Sequence, residues 1–136
     1  MSVELRFLHL GSDNTEEDLA AWLALPGARL RWRFDAFGAD AAAVDLGTGP
    51  LVLLADHRPA GSVLPIYAVA DLDEATDSLV AGGFTRHAGP LGTPEGPATV
   101  LLDPSGTALA LLRVDRPGAM DDAYADEANS QARPAP

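Results

Sequence analysis

Apolar residues alternate like a strand over residues 3–10, after which the chain turns polar and acidic from Ser12 to Asp18. Acidic and small polar side chains there suit the free N–H groups and dipole of a first helical turn, so the pattern predicts a helix over 16–23. Leu19, Trp22 and Leu23 follow at i, i+3 and i+4, giving that helix one apolar stripe, and Pro26-Gly27 ends it. Residues 29–34 alternate strictly and predict a strand with Leu30, Trp32 and Phe34 on one side. Residues 40–46 and 50–55 predict a hairpin about Gly47-Thr48-Gly49.

The same plan then recurs. A strand is predicted at 65–69, followed by a helix at 73–81 with Leu72, Ala75, Leu79 and Val80 as its stripe and Gly82-Gly83 as its stop. Three Gly and three Pro among residues 89–97 predict a loop, and 98–102 with 107–113 predict a closing hairpin across Asp103-Pro104-Ser105-Gly106. Each half opens on a short apolar run ending in Asp, at Asp13 and at Asp71. A repeat of this length is one supersecondary module used twice. The reading is an α+β fold, one domain over 1–116. Module one spans 3–55, a linker 56–63 and module two 64–115. The Ala-, Asp-, Glu- and Pro-rich residues 117–136 predict a flexible, poorly packed acidic tail, with Met120 and Tyr124 as anchors onto a partner.

Composition narrows the function classes. With 20 acidic residues against 9 basic ones, all of them Arg, the net charge is −11, which opposes a phosphate backbone and predicts no nucleic-acid partner. The absence of Cys removes disulfides and cysteinyl chemistry. No apolar run approaches a membrane span, and no basic-then-apolar leader opens the sequence, so a cytoplasmic protein is expected. No Ser lies in a Gly-x-Ser-x-Gly elbow, and Gly89–Gly96 lacks the Gly-Lys-Ser/Thr ending of a phosphate loop.

The two βαβββ halves, with Ala-Val-Ala-Asp-Leu-Asp-Glu-Ala at 68–75, Gly-Pro-Leu-Gly-Thr-Pro-Glu-Gly at 89–96 and Leu-Asp-Pro-Ser-Gly-Thr-Ala-Leu-Ala-Leu-Leu at 102–112, resemble the vicinal oxygen chelate superfamily over residues 3–115. That group includes glyoxalases, extradiol dioxygenases and bleomycin-resistance proteins. The resemblance implies curved mixed sheets around a cleft, commonly a homodimer, and a divalent metal held by His and carboxylates. Counted back from Asp13 and Asp71, the first-strand ligand positions fall on Arg6 and Leu64; along the closing hairpins they fall on Val52 and Ala110. None of these side chains offers a lone pair to a metal, so neither metal nor cofactor is expected.

The residues sharing that parity give a greasy candidate site: Arg6, Leu8, Val52, Leu54, Leu64, Ile66, Ala108 and Ala110, with Trp32, Phe34, Phe37, His57 and Tyr67 nearby. His9 is expected to turn away from Arg6, toward the helix side, as a satisfied strand residue. His87 is expected in an exposed loop. The leading expectation is a metal-free homodimer that sequesters a hydrophobic or aromatic natural product, cationic ones included, as bleomycin-resistance proteins do; no catalytic residue is assigned. The rivals are a metal-independent isomerase, lyase or cyclase, with Arg6 stabilising an oxyanion and His57 or Glu95 as base, and an accessory interaction domain.

Overall fold

The computed structural model describes residues 3–36 and 39–136. Eight strands and three helices appear among them, an α+β arrangement. The chain divides into two compact units. One comprises Phe7–Val63 with Met120–Pro136; the other comprises Leu64–Ala119 with the first residues through Arg6.

β1 (Glu4–Gly11), α1 (Thr15–Leu23), β2 (Arg29–Ala36), β3 (Ala39–Asp45) and β4 (Leu51–Ala55) form one βαβββ module, which belongs to the first unit from Phe7 onward. Its strand order is β2-β3-β4-β1, with β1 and β4 parallel and the other pairs antiparallel. The second unit repeats this with β5 (Val63–Ala68), α2 (Leu72–Ala81), β6 (Thr85–Gly92), β7 (Pro97–Leu102) and β8 (Ala108–Leu112), ordered β6-β7-β8-β5 with β5 and β8 parallel. The repeat expected from the apolar pattern is therefore present element for element.

Each helix covers one face of its own strands. Leu19, fully buried on α1, packs with Ala42, Val44, Val52 and Leu54, and Leu10, Trp22, Leu23 and Leu30 close around them. Under α2 lie Val69, Leu72, Leu101 and Leu111, joined by Tyr67, Ala75, Leu79 and Leu109. The α2 stripe differs from expectation in one position. Val80 is exposed and Thr76 is buried instead, because Leu72, Ala75, Thr76 and Leu79 follow the 3.6-residue turn more closely.

Three other differences have physical causes. Where the sequence predicts loop from residue 89, β6 continues as an exposed strand. Its pairing with β7 shifts register between Arg86 and Ala88 and again before Leu91, so it has neither a buried face nor an alternating signature. In β2, Leu30, Trp32 and Phe34 do not share a side. A register shift between Leu30 and Trp32 leaves Leu30 opposite Val44 but Trp32 opposite Ala43, which turns the aromatics to the face away from α1. The C-terminal residues, expected to pack poorly, form α3 (Ala119–Ala125) and then lie along the outer edge of β2. Asp35 N–H donates to Gln131 O at 2.9 Å, and Arg133 N–H donates to Arg33 O at 2.9 Å. Arg31 grips the Asp121 carboxylate through Nε (2.7 Å) and Nη2 (3.0 Å). Tyr124, expected to seek a partner subunit, meets Phe34 of its own chain edge-on, ring centroids 5.6 Å apart.

Candidate functional site

The helix caps set the register of everything that follows. Asp71 caps α2 by accepting from Glu74 N–H. At α1 the capping residue is Asn14, one position after Asp13: its Oδ1 accepts from Glu17 N–H at 3.1 Å, and its Nδ2 donates back to the Glu17 carboxylate. The two modules are therefore offset by 57 positions, and the strand pairs agree. His9 faces Leu53 across the parallel β1–β4 pair, and Ile66 faces Ala110 across β5–β8.

A shift of one residue reverses strand parity. The first-module positions expected on Arg6 and Val52 fall instead on Phe7 and Leu53. Val52 and Leu54 belong to the core under α1, and Leu8 pairs with Val52 on that same side. Tyr67 packs in the core under α2. Tyr67 is one position from Ile66 and so faces away from it on β5, whereas Leu64, Ile66, Ala108 and Ala110 keep the parity expected of them. Phe37 lies outside the described residues. At the positions where the resemblance implies ligands, the first unit carries Phe7 and Leu53 and the second unit Leu64 and Ala110, each a hydrocarbon side chain. Among the described residues no three His, Cys, Asp or Glu side chains gather into a metal-binding group. The residues present do not fit a divalent metal.

What the first unit carries on its helix-free face is aromatic. Phe7 and His9 on β1, Leu53 on β4, Ala43 and Ala41 on β3, and Trp32 and Phe34 on β2 stand side by side through the strand pairing. Phe7, His9, Trp32 and Phe34 are buried, and the Trp32 and Phe34 rings lie 5.7 Å apart, centroid to centroid. Trp32 is thus buried without belonging to the core under α1, which is built around Trp22 and Leu19.

His9 is the principal residue that sequence reasoning misplaces. It lies on the helix-free face, 4% exposed, with its Nε2 unpartnered among the described residues. The linker brings His57 to it, ring centroids 5.0 Å apart. The linker is held where Gly11 N–H donates to Ser62 O and Ser62 N–H to Pro59 O, both at 3.0 Å. A Cβ on Gly11 would collide with the Pro59 carbonyl, so only glycine lets the linker lie there. Burial, with smaller contributions from His57 and Arg58, lowers the His9 pKa to about 4, so its imidazole is neutral at pH 7. The capping signature Asn14-x-x-Glu17, which matches Asp71-x-x-Glu74, is the sequence signal that places His9 correctly.

Arg6 and Glu95, single candidates in the sequence, form one ion pair in the second unit. Arg6 Nε donates to Glu95 Oε1 at 3.0 Å and Nη2 to Oε2 at 2.5 Å, with the Glu95 side chain 8% exposed. The backbone carbonyl of Glu95 also accepts from Asp115 and Arg116 N–H, and Arg116 reaches the Pro94 and Thr93 carbonyls. This is a clamp on the 93–96 turn. Both carboxylate oxygens are engaged, so Glu95 is not positioned as a free base. His87 is exposed as expected, but on strand β6 rather than in a loop.

No protein-family model matches this sequence, and no curated protein matches it. Solved structures do. The hypothetical protein BH1468 from Bacillus halodurans C-125 matches with a TM-score of 0.71 at 12% identity, over 85% of this chain and 97% of that one. Streptomyces coelicolor methylmalonyl-CoA epimerase in complex with 2-nitronate-propionyl-CoA matches with a TM-score of 0.65 at 14% identity, over 85% and 100% of the two chains. The Mycobacterium tuberculosis methylmalonyl-CoA epimerase gives 0.63 at 13%, over 84% and 88%. At such identities the likeness is one of fold.

Proposed function

We propose that this chain, which has the vicinal oxygen chelate fold, is a metal-independent small-molecule binding protein. Its recognition surface is the helix-free face bearing Phe7, His9, Trp32 and Leu53, and its ligand is a hydrophobic or aromatic compound held by sequestration. The observation that carries this reading is the aromatic and hydrocarbon chemistry of the first unit's helix-free face, with Phe7 and Leu53 at the positions where the resemblance implies ligands. Hydrocarbon there removes Lewis-acid chemistry and supplies the apolar lining that small-molecule sites use. The likeness to the epimerases supplies no ligand for this chain. An enzymatic reading needs a base. Glu95 is clamped by Arg6, and an imidazole with its pKa near 4 is a weak base at neutral pH.

The test uses Trp32 as reporter in a Trp22→Phe background. 2-Naphthamide, an uncharged aromatic probe, is expected to change Trp32 emission saturably and to raise the melting temperature as binding to the native state requires. Absence of both responses across a panel of uncharged aromatics overturns the reading. So does one tightly held divalent ion per chain in untagged protein.

A further inference from the structure

We propose that the His9–His57–Arg58 cluster is an anion subsite that receives the carboxylate of the ligand, so that the molecule bound is an apolar or aromatic organic acid. This deepens the binding reading above and rests on it for the apolar part only.

Arginines in this acidic chain mostly have partners. Arg6, Arg29, Arg31, Arg33, Arg113 and Arg133 each contact a carboxylate, and Arg116 is bound to two backbone carbonyls. Arg58 is different. It is half-buried, and its Nε is sequestered from solvent with no acceptor among the described residues. A guanidinium N–H withdrawn from water and left without an acceptor is costly, and with 20 acidic side chains in the chain the lack of one is informative. Next to it in sequence is His57, whose ring lies against His9, where a second buried nitrogen, Nε2, also lacks a partner. The nearest acidic residue in sequence, Asp56, is engaged elsewhere, its Oδ1 accepting from Asp40 N–H.

The three groups together suit a carboxylate. The guanidinium supplies a planar fork for its two oxygens. A neutral imidazole can donate to it through Nε2 in the appropriate tautomer, and the exposed His57 borders the entry. Phe7 and Leu53, beside His9 on β1 and β4, then receive the hydrocarbon part of the same molecule. Net acidity predicts attraction of cations at long range, but local chemistry decides which charge is held at contact, since surface fields are screened within about 8–10 Å at physiological salt.

The experiment compares 2-naphthoate, 2-naphthamide and 2-naphthylmethylamine by titration calorimetry, with the His9 imidazole resonances followed by NMR during additions of plain acetate. 2-Naphthoate is expected to bind at least about tenfold more tightly than the amide, with the amine weakest. Acetate alone is expected to move the His9 resonances, because an anion placed beside them favours the protonated ring. In Arg58→Gln the naphthoate advantage is expected to fall to within about threefold, with amide binding unchanged. Amide and naphthoate binding equally well in the parent protein overturns the anion subsite and leaves the binding reading standing. Acetate shifting His9 without any naphthyl compound binding supports the subsite and overturns the apolar reading. No His9 response to acetate, together with no naphthoate advantage, overturns the proposal.

Discussion

His9 is a neutral imidazole buried on a strand, and it makes stability depend on pH. Its pKa is about 4 in the folded protein against 6.5 when exposed, so between those values the unfolded chain binds a proton that the native state does not. Native stability is therefore lost as pH falls from 6.5 to 4. At pH 4 a His9→Leu variant is expected to gain about 2–3 kcal/mol relative to the parent compared with the same pair at pH 7, read from urea midpoints. A constant difference across that range would remove the buried neutral imidazole. Arg6 and Glu95 behave oppositely, as a pair whose members need each other. Glu95→Gln is expected to cost about 1–3 kcal/mol because it strands a partly buried guanidinium, whereas Arg6→Met/Glu95→Leu together should recover much of that loss. Neither arrangement is legible in the sequence. Arg6 and Glu95 are 89 positions apart, and no periodicity links a strand residue to a Gly/Pro-rich turn. His57 reads from the sequence as a border residue, but its contact with His9 depends on the close approach of a linker to Gly11, a backbone fact that composition does not carry.

Among the elements, the helices follow from apolar spacing because each has one wet and one dry face, and the strands from short apolar runs bounded by Gly and Pro. What spacing does not give is the phase between them. Asp13 and Asn14 are both good capping residues, and choosing the wrong one shifts β1 and β4 by one position and exchanges Val52 for Leu53 on the helix-free face. The same kind of slip occurs at β2, where Arg31 sits at the register shift and is drawn outward by Asp45 and Asp121. Asn14→Ala is expected to destabilise the protein by about 1 kcal/mol and Asp13→Ala by markedly less, measured by thermal unfolding. Equal effects would remove Asn14 as the cap. Gly11→Ala is expected to lower stability by about 1–3 kcal/mol, as for overpacking, and to move the His57 imidazole resonances, because the linker must retreat from β1.

At the scale of the whole chain, the terminal residues do more than their composition indicates. Low hydrophobicity and many charges describe a segment unable to form its own core. They do not describe one that borrows its apolar contact from Phe34 and its hydrogen bonds from the edge of β2. A chain ended after Gly118 loses the partners of Asp35 N–H and Arg33 O and uncovers the ring of Phe34. Such a truncation is expected to shift Trp32 emission to longer wavelength and to associate with increasing concentration, as unprotected strand edges do, which sedimentation velocity would register. The docking of Tyr124 on Phe34 also bears on affinity. A tethered ring beside an aromatic face competes with any incoming aromatic as an intramolecular rival, at an effective concentration on the order of millimolar. A ligand that needs Phe34 meets it only for the fraction of time the tether is lifted, and its apparent Kd is the intrinsic value divided by that fraction. Tyr124→Ala should then tighten the binding of such ligands while loosening the fold, leaving the strength of recognition under the control of a residue the ligand never touches.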